Sequence, residues 1–571
     1  MPELTRRERD VLAALCRPLT TSGPVLMPAT IREIAAELVV TEAAIKQHLL
    51  NLYDKFEVPE GAGSRRIALA RVAVQRGFLA GVGPAAPVAG PIEEGRAAAA
   101  RRAWEDAYTA LSTAASRGSL DVGDLELLGD AATWTGRFEA STAAREQAYA
   151  AYLARADRRS AARVALGLGW NAAVTLRFSV VAGWMASAGR LLAADGDVAE
   201  AAVWPEHGLI LSLMALNELA MGQLEPGLEH ARAAYEIGRR TGDADIQALG
   251  LVFQGFGLVH QGRLDDGRAL LDEAMASATA GHLGTLAQGM VYCRTLSACL
   301  DTFDYRRAIE WTEEIERHAP ALGSVGFPGD CRTHRAAVLV VRGEWQRGAE
   351  EAEAAAAESP AYDLGHTVQA LAALGEIRLR QGDLVAARDA FDRAAAFGLP
   401  PGPGHALVLL ALGDAHAALA AIARAQNGAG GDQLTRARYL PAVVEIALAA
   451  GDFDRARSSC AELADIAAAF SGPVLAATVA GCSAAVSLAA GDAPKAIELA
   501  RDAVRHWRLV GAPYEVARCR IQVATAAAAL GDREDAVREA RAALASFAAL
   551  GAQREIRAAA DLLDQLDRSA T

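Results

Sequence analysis

"LGLVFQGFGLVHQGRLDDGRALLDEAMASA", residues 249–278, holds the unit from which most of this chain is built. A largely apolar helical pattern ends just before Gly262, and a second helical pattern starts just after it. Glycine accepts the left-handed conformation that ends a helix. The second segment carries alanine and glycine where two helices would approach closely. The stretch therefore reads as a helical hairpin with one apolar face left open, which a neighbour has to cover.

Such neighbours exist. The motif of glycine, a polar residue, an apolar residue and then a small residue recurs at 136, 222, 262, 343, 382, 413, 451, 491 and 531. "RFSVVAG" at 177 and "FDYRRA" at 303 hold the same place without the glycine. That gives eleven units with a period near forty residues. Hairpins that cannot bury their own apolar face stack into a continuous array. Tetratricopeptide units follow the same logic at about 34 residues, and longer helices lengthen them. The expected fold is all-α: a helix-turn-helix head, then a long right-handed α-solenoid of tetratricopeptide-like hairpins with a concave inner surface.

Composition narrows the function. The 571 residues are 52% hydrophobic and 22% charged, which suits a folded chain too long for one core. The net charge of −13 argues against nonspecific nucleic-acid binding by the whole chain. Residues 1–80 carry 11 Lys+Arg against 9 Asp+Glu, so the acid lies in the remainder. The seven cysteines form no CxxC pair, and none has histidine at zinc-finger spacing. They read as buried apolar residues in a reducing cytoplasm, and no cofactor or metal is expected. "PGDCRTHRA", with His318 nearby, reads as a helix start after Pro328 and not as a metal site. No signal-like pattern or membrane-length apolar run is present. No H-E-x-x-H or G-x-S-x-G occurs, and an enzyme is not expected.

The chain divides into a head, residues 1–80, a Pro/Gly/Ala linker, 81–95, and the solenoid, 96–571. In the head, Thr5-Arg6-Arg7-Glu8 and Thr30-Ile31-Arg32-Glu33 both fit capping boxes. Val39-Val40 make a joint, and Thr41 caps a third helix that buries Ile45, Leu49, Leu52 and Phe56. A fourth helix starts near Ser64, and "EVPEGAGSRR" has no alternating pattern that would make a β wing. Two capped helices meeting at a tight apolar joint are a helix-turn-helix by pattern.

"REIAAELVVTEAAIKQHLLNLYDKFEV" resembles the LuxR-type DNA-binding signature, and the longer connector "RPLTTSGPVLMPAT" is closer to winged helix-turn-helix segments of actinobacterial signalling proteins. Residues 100–555, with phrases such as "LPAVVEIALAAGDFDRARSSCAELADIAAAF", resemble the repeat region of actinobacterial LuxR-type transcriptional regulators. Many of those relatives place the DNA-binding segment at the C-terminus and some carry an ATPase. Here the head is N-terminal and no G-x-x-x-x-G-K-[ST] is present.

Geometry assigns contacts on double-stranded DNA. A major groove admits one helix, and its first residues meet base edges. Thr41 with the first amides holds a phosphate, while Lys46 and Gln47 reach base edges. His48, Asn51, Lys55, Arg65 and Arg66 are placed for phosphates, and Glu42 for a cytosine amino group. On the solenoid, Tyr292, Arg294, Asp301, Trp311, Arg332, His334 and Trp345 make the candidate surface for a peptide, protein or small-molecule effector. Together these describe a cytoplasmic transcriptional regulator, homodimeric on paired half-sites, that senses an effector through its repeats. The alternatives are a non-catalytic scaffold for protein partners and a repeat protein that sequesters a small molecule.

Overall fold

The computed structural model describes residues 4–16, 28–56, 58–59, 64–75, 90–118, 120–175, 177–193, 203–322, 330–358, 364–398, 402–428 and 432–568. Among them there are helices and no strand. Two compact units are present, Met1–Glu94 and Gly95–Thr571. No helix among the described residues is long and apolar enough to cross a membrane.

The head contains α1 (Arg6–Cys16), α2 (Ile31–Glu37), α3 (Glu42–Lys55) and α4 (Arg65–Gln75). Both capping boxes form. The Thr5 amide donates to Glu8 at 2.8 Å, and the Thr30 amide donates to Glu33 at 2.6 Å. Thr41 accepts from the Ala44 amide at 3.3 Å and starts α3. The joint between α2 and α3 is a Schellman turn, in which the Val40 amide donates to the Ala35 carbonyl. Its left-handed position is held by Val39, at φ +54, where glycine is usual. Leu12, Leu15, Ile34, Ile45, Leu49, Leu52, Phe56 and Leu69 fill the core. Half of the "EVPEGAGSRR" turn, at 57 and 60–63, lies outside the described residues, as do 17–27 of the connector.

The body is a row of antiparallel helix pairs. The first four are α5 (Pro91–Ala100) with α6 (Trp104–Arg117), α7 (Val122–Trp134) with α8 (Phe138–Ala154), α9 (Arg158–Val174) with α10 (Phe178–Ala193), and α11 (Pro205–Ala220) with α12 (Leu224–Thr241). Next come α13 (Ala244–His260) with α14 (Leu264–Thr279), α15 (Thr285–Asp301) with α16 (Tyr305–Leu322), α17 (Asp330–Arg342) with α18 (Trp345–Glu358), and α19 (Leu364–Gln381) with α20 (Leu384–Ala395). The rest are α21 (Gly404–Ala411) with α22 (Ala415–Gly428), α23 (Gln433–Ala449) with α24 (Phe453–Ala469), α25 (Pro473–Ala489) with α26 (Ala493–Val510), and α27 (Pro513–Ala529) with α28 (Arg533–Leu550). A last helix, α29 (Gln553–Arg568), follows α28.

The eleven units counted in the sequence are the pairs from α7–α8 to α27–α28. The expected linker ended at 95, yet α5 starts at Pro91, a residue suited to a first helical turn. Residues 81–89 of that linker lie outside the described residues. The pair α5–α6 carried no glycine signal, because its turn takes the left-handed conformation with Arg102, at φ +57.

Each repeat glycine does what its position requires. Gly382 sits at φ +86, and Asp383 behind it caps α20 by accepting from the Ala386 amide at 3.0 Å. Gly255 and Gly267 let α13 and α14 approach until an added Cβ on Gly255 would lie 2.8 Å from the Gly267 carbonyl. First helices of successive pairs stack on one another, α11 on α13, α13 on α15, α15 on α17 and α17 on α19.

The array coils back onto itself. Arg102, in the α5–α6 turn, donates to Gln288 of α15 at 2.6 Å and to the Leu283 carbonyl. The α17–α18 turn at Gly343 abuts Pro513 and Leu550, and the α19–α20 turn at Gly382 abuts Gln553 and Arg554. The α5–α6 turn on α15, α17 on α27 and α19 on α29 are each contacts between pairs five apart. One core cluster accordingly mixes Leu249, Val291 and Val338 with Leu434, Leu463 and Phe470. The turn edge of one coil thus seats on the loop edge of the next. Two of the turns without glycine place a side chain on the next coil: Arg102 as above, and Phe303 (φ +60), whose ring lies under the Arg438 guanidinium.

Candidate functional site

The head presents one continuous face. Ala43, Lys46, Gln47, Leu50 and Asn51 recur at helical spacing along α3 and are exposed, as are Thr41 and Glu42 at its start. His48 is half-buried. Ile45, Leu49 and Leu52, on the opposite side, hold the helix to the core. The Thr41 cap and the Schellman turn together fix the direction in which α3 leaves the joint.

Two of the expected phosphate contacts are committed elsewhere. Lys55 donates to Glu8 of α1 at 2.7 Å. The Glu8 side chain is almost fully buried, and its hydrogen bond from Lys55 holds the carboxyl below its usual range. Arg65 donates to the Val58 carbonyl at 3.1 Å, and its guanidinium stacks 4.6 Å from the Tyr53 ring centre. Arg66 is half-buried. Lys55 and Arg65 therefore tie α1, α3 and α4 together, because the fold brings a buried carboxylate to one and an aromatic face to the other. The sequence reading places Val39, 88% exposed, only in the joint, and passes over Leu50, 49% exposed. The three- and four-residue spacing that places Lys46 and Gln47 outside would have found Leu50 too.

The candidates on the body separate. Tyr292 is fully buried and donates to the Ala278 carbonyl at 3.3 Å. Trp345 is buried, donates to the Val340 carbonyl at 3.2 Å and packs edge-on against Tyr514 in the next coil. His334 is buried, with its Nε2 2.9 Å from Ser297 Oγ. These three are interior groups and not an open concave surface. Asp301 accepts from Arg438 at 2.6 Å and lies 3.4 Å from His260. Burial opposes its ionisation, but Arg438 and His260 prevail and bring its carboxyl down to about 2. Asp301 therefore joins two coils. Trp311 donates to Asp272 at 3.0 Å and Arg332 to Glu351 at 2.9 Å, and both, like Arg294, stay half-buried. Elsewhere, a cleft of about 410 Å³ is lined by Arg159, Trp204, Pro205 and Arg240.

Cys293, His334 and His366 come together from α15, α17 and α19, with one potential ligand atom from each within 4.8 Å of the others. The sequence reading missed Cys293 and His366. Cys293 and His334 precede their turn glycine or its substitute by similar distances, but His366 is almost two helical turns out of phase, so no repeat pattern links the three.

No protein-family model matches the chain, and no curated protein matches it. Among solved structures it is similar to the one titled "Crystal structure of APC/C hetero-tetramer Cut9-Hcn1". The two share 12% sequence identity, with 86% of this chain and 99% of that chain covered and a TM-score of 0.40.

Proposed function

We propose that this helical-repeat protein is a sequence-reading DNA-binding regulator, with the front face of α3 as its reading surface. The observation that carries the reading is the exposed set Thr41, Glu42, Lys46, Gln47 and Asn51, on a helix whose start is capped and whose back is held in a core. Long donors at the front of such a helix match guanine and adenine edges in a major groove. One short helix reads few bases, so the protein acts as a homodimer on paired half-sites. The body is the sensing element, cytoplasmic, responding to a peptide, protein or small molecule that changes the contact between coils.

Selection of duplex DNA by the full chain tests this. The expected result is enrichment of a defined half-site, binding that weakens steeply with salt, and loss of sequence preference in Lys46→Ala with Gln47→Ala. An absence of enrichment at low salt refutes it.

A second reading, a scaffold for protein partners, is favoured by two exposed apolar side chains of the head, Val39 at the α2–α3 joint and Leu50 on the outer face of α3. In that case Leu50→Asp abolishes capture of a protein while Lys46→Ala with Gln47→Ala has little effect.

A further inference from the structure

We propose that Cys293, His334 and His366 form a binding site for a soft closed-shell cation, Cu⁺ or Zn²⁺. The site stands independently of the DNA-binding reading. All three residues are buried, and each comes from a different first helix of three successive pairs. Cys293 Sγ lies 3.9 Å from His366 Nε2. The His334 and His366 rings meet edge to face with centres 5.3 Å apart. Around them the same helices bury Tyr292, Leu296, Val338 and Ala370.

The donor set fits the cation class. One thiol sulfur and two imidazole nitrogens are soft or borderline ligands, and the trio contains no carboxylate that would favour a hard cation. With metal–sulfur and metal–nitrogen bonds of about 2.3 and 2.0–2.1 Å, sulfur and nitrogen stand about 3.8 Å apart around a trigonal centre and about 3.6 Å apart around a tetrahedral one. The observed 3.9 Å is close to the first. On binding, the Cys293 thiol gives its proton to solvent as the sulfur–metal bond forms, and each neutral imidazole donates one lone pair. With Cu⁺ the resulting centre is uncharged, which suits an apolar interior. Zn²⁺ needs a fourth ligand, and the Ser297 hydroxyl lies 2.9 Å from His334 Nε2.

The position has a consequence. Ser297 and Asp301 are one helical turn apart on α15, and Asp301 carries the ion pair to Arg438 in the next coil. A cation there joins three stacked pairs beside the point where two coils meet.

The test is metal uptake by the purified full chain, stripped of metal and titrated separately with Zn²⁺ and with Cu⁺ under reducing conditions, against chromophoric competitors. One equivalent per chain is expected, with a higher melting temperature on loading. Uptake is expected to be lost in Cys293→Ser and in His366→Gln, with circular dichroism unchanged. Which of the two titrations saturates first identifies the cation. In the unaltered chain, timed thiol alkylation in mild denaturant provides a readout that needs no variant: metal should slow labelling of Cys293 at least tenfold and leave Cys460 unchanged. Equal uptake by the variants, no uptake of either ion, or metal that protects all thiols alike would overturn the proposal and leave the trio as a hydrogen-bonded part of the core.

Discussion

Replacing Gly343 by alanine should cost more than the same change at Gly451, although the two backbones are alike. Gly343 has φ +78 and Gly451 φ +79, so alanine at either bears the left-handed penalty of about 1–2 kcal/mol. Their surroundings differ. Nothing lies within 4 Å of a Cβ built on Gly451. A Cβ on Gly343 would lie 2.5 Å from Leu550 Cδ2 and 3.0 Å from Pro513 Cγ, both in the next coil. Overpacking of this kind costs about 1–3 kcal/mol, and the Leu550 methyl can swing aside, so the lower half of that range applies. The excess falls on one seam. Amide exchange of the full chain therefore reads it best, at Val516, whose N–H donates to Ala512 O at 3.1 Å, and at Ala552, whose N–H donates to Phe547 O at 3.0 Å. About 1–2 kcal/mol corresponds to roughly five- to thirty-fold faster exchange through local opening. Adding Leu550→Ala to Gly343→Ala should recover much of the difference. If the two glycine variants behave alike and exchange at 516 and 552 does not move, the coils are not in contact in solution and the closed arrangement is wrong.

Val39→Gly should stabilise the head. A β-branched residue at φ +54 bears about 1–3 kcal/mol of strain, and glycine's added unfolded-state entropy returns about 0.5–1 kcal/mol of that, leaving a gain near 1 kcal/mol measurable by urea unfolding followed at the head. Lys55→Met should cost about 1.5–3 kcal/mol by leaving the buried Glu8 carboxylate without its charged donor, yet leave the salt dependence of DNA binding unchanged; a slope lowered by about 0.9 would return Lys55 to the phosphate contacts. Because the folded-state pKa of Glu8 is lowered, that pair's contribution is complete above the ordinary carboxylate pKa and is lost as pH falls through the depressed value, so head unfolding in acid should be less pH-dependent in Lys55→Met. The Asp301–Arg438 contact follows the same sign: with the Asp301 carboxyl at about 2, its contribution is present above about 3.8 and fades only as pH approaches 2, so scattering at pH 4 should show an unchanged radius in the unaltered chain and a larger one in Arg438→Met.

The head shows how far local pattern reaches. Both capping boxes, the Thr41 cap and the alternation of Ile45, Leu49 and Leu52 with Lys46 and Gln47 were legible, because each is a relation among residues within about two helical turns. Lys55 and Arg65 looked equivalent to Lys46 in the sequence. What separates them is Glu8, 47 residues away from Lys55, and the Tyr53 ring with the Val58 carbonyl, which Arg65 meets only once α4 has docked.

The sequence by itself determined the helices, their pairing and their repeat, since helical periodicity, the turn glycine and the capping aspartate act within a single unit. It did not determine where one coil meets the next. Arg102 with Gln288 and Gly343 with Leu550 are brought together by the sum of small rotations over five pairs, and Asp301 with Arg438 over four, which no residue in any one pair encodes. For the same reason Tyr292, His334 and Trp345 became interior groups: their burial depends on how tightly the whole array winds, a property of the stacked pairs together and not of a local pattern.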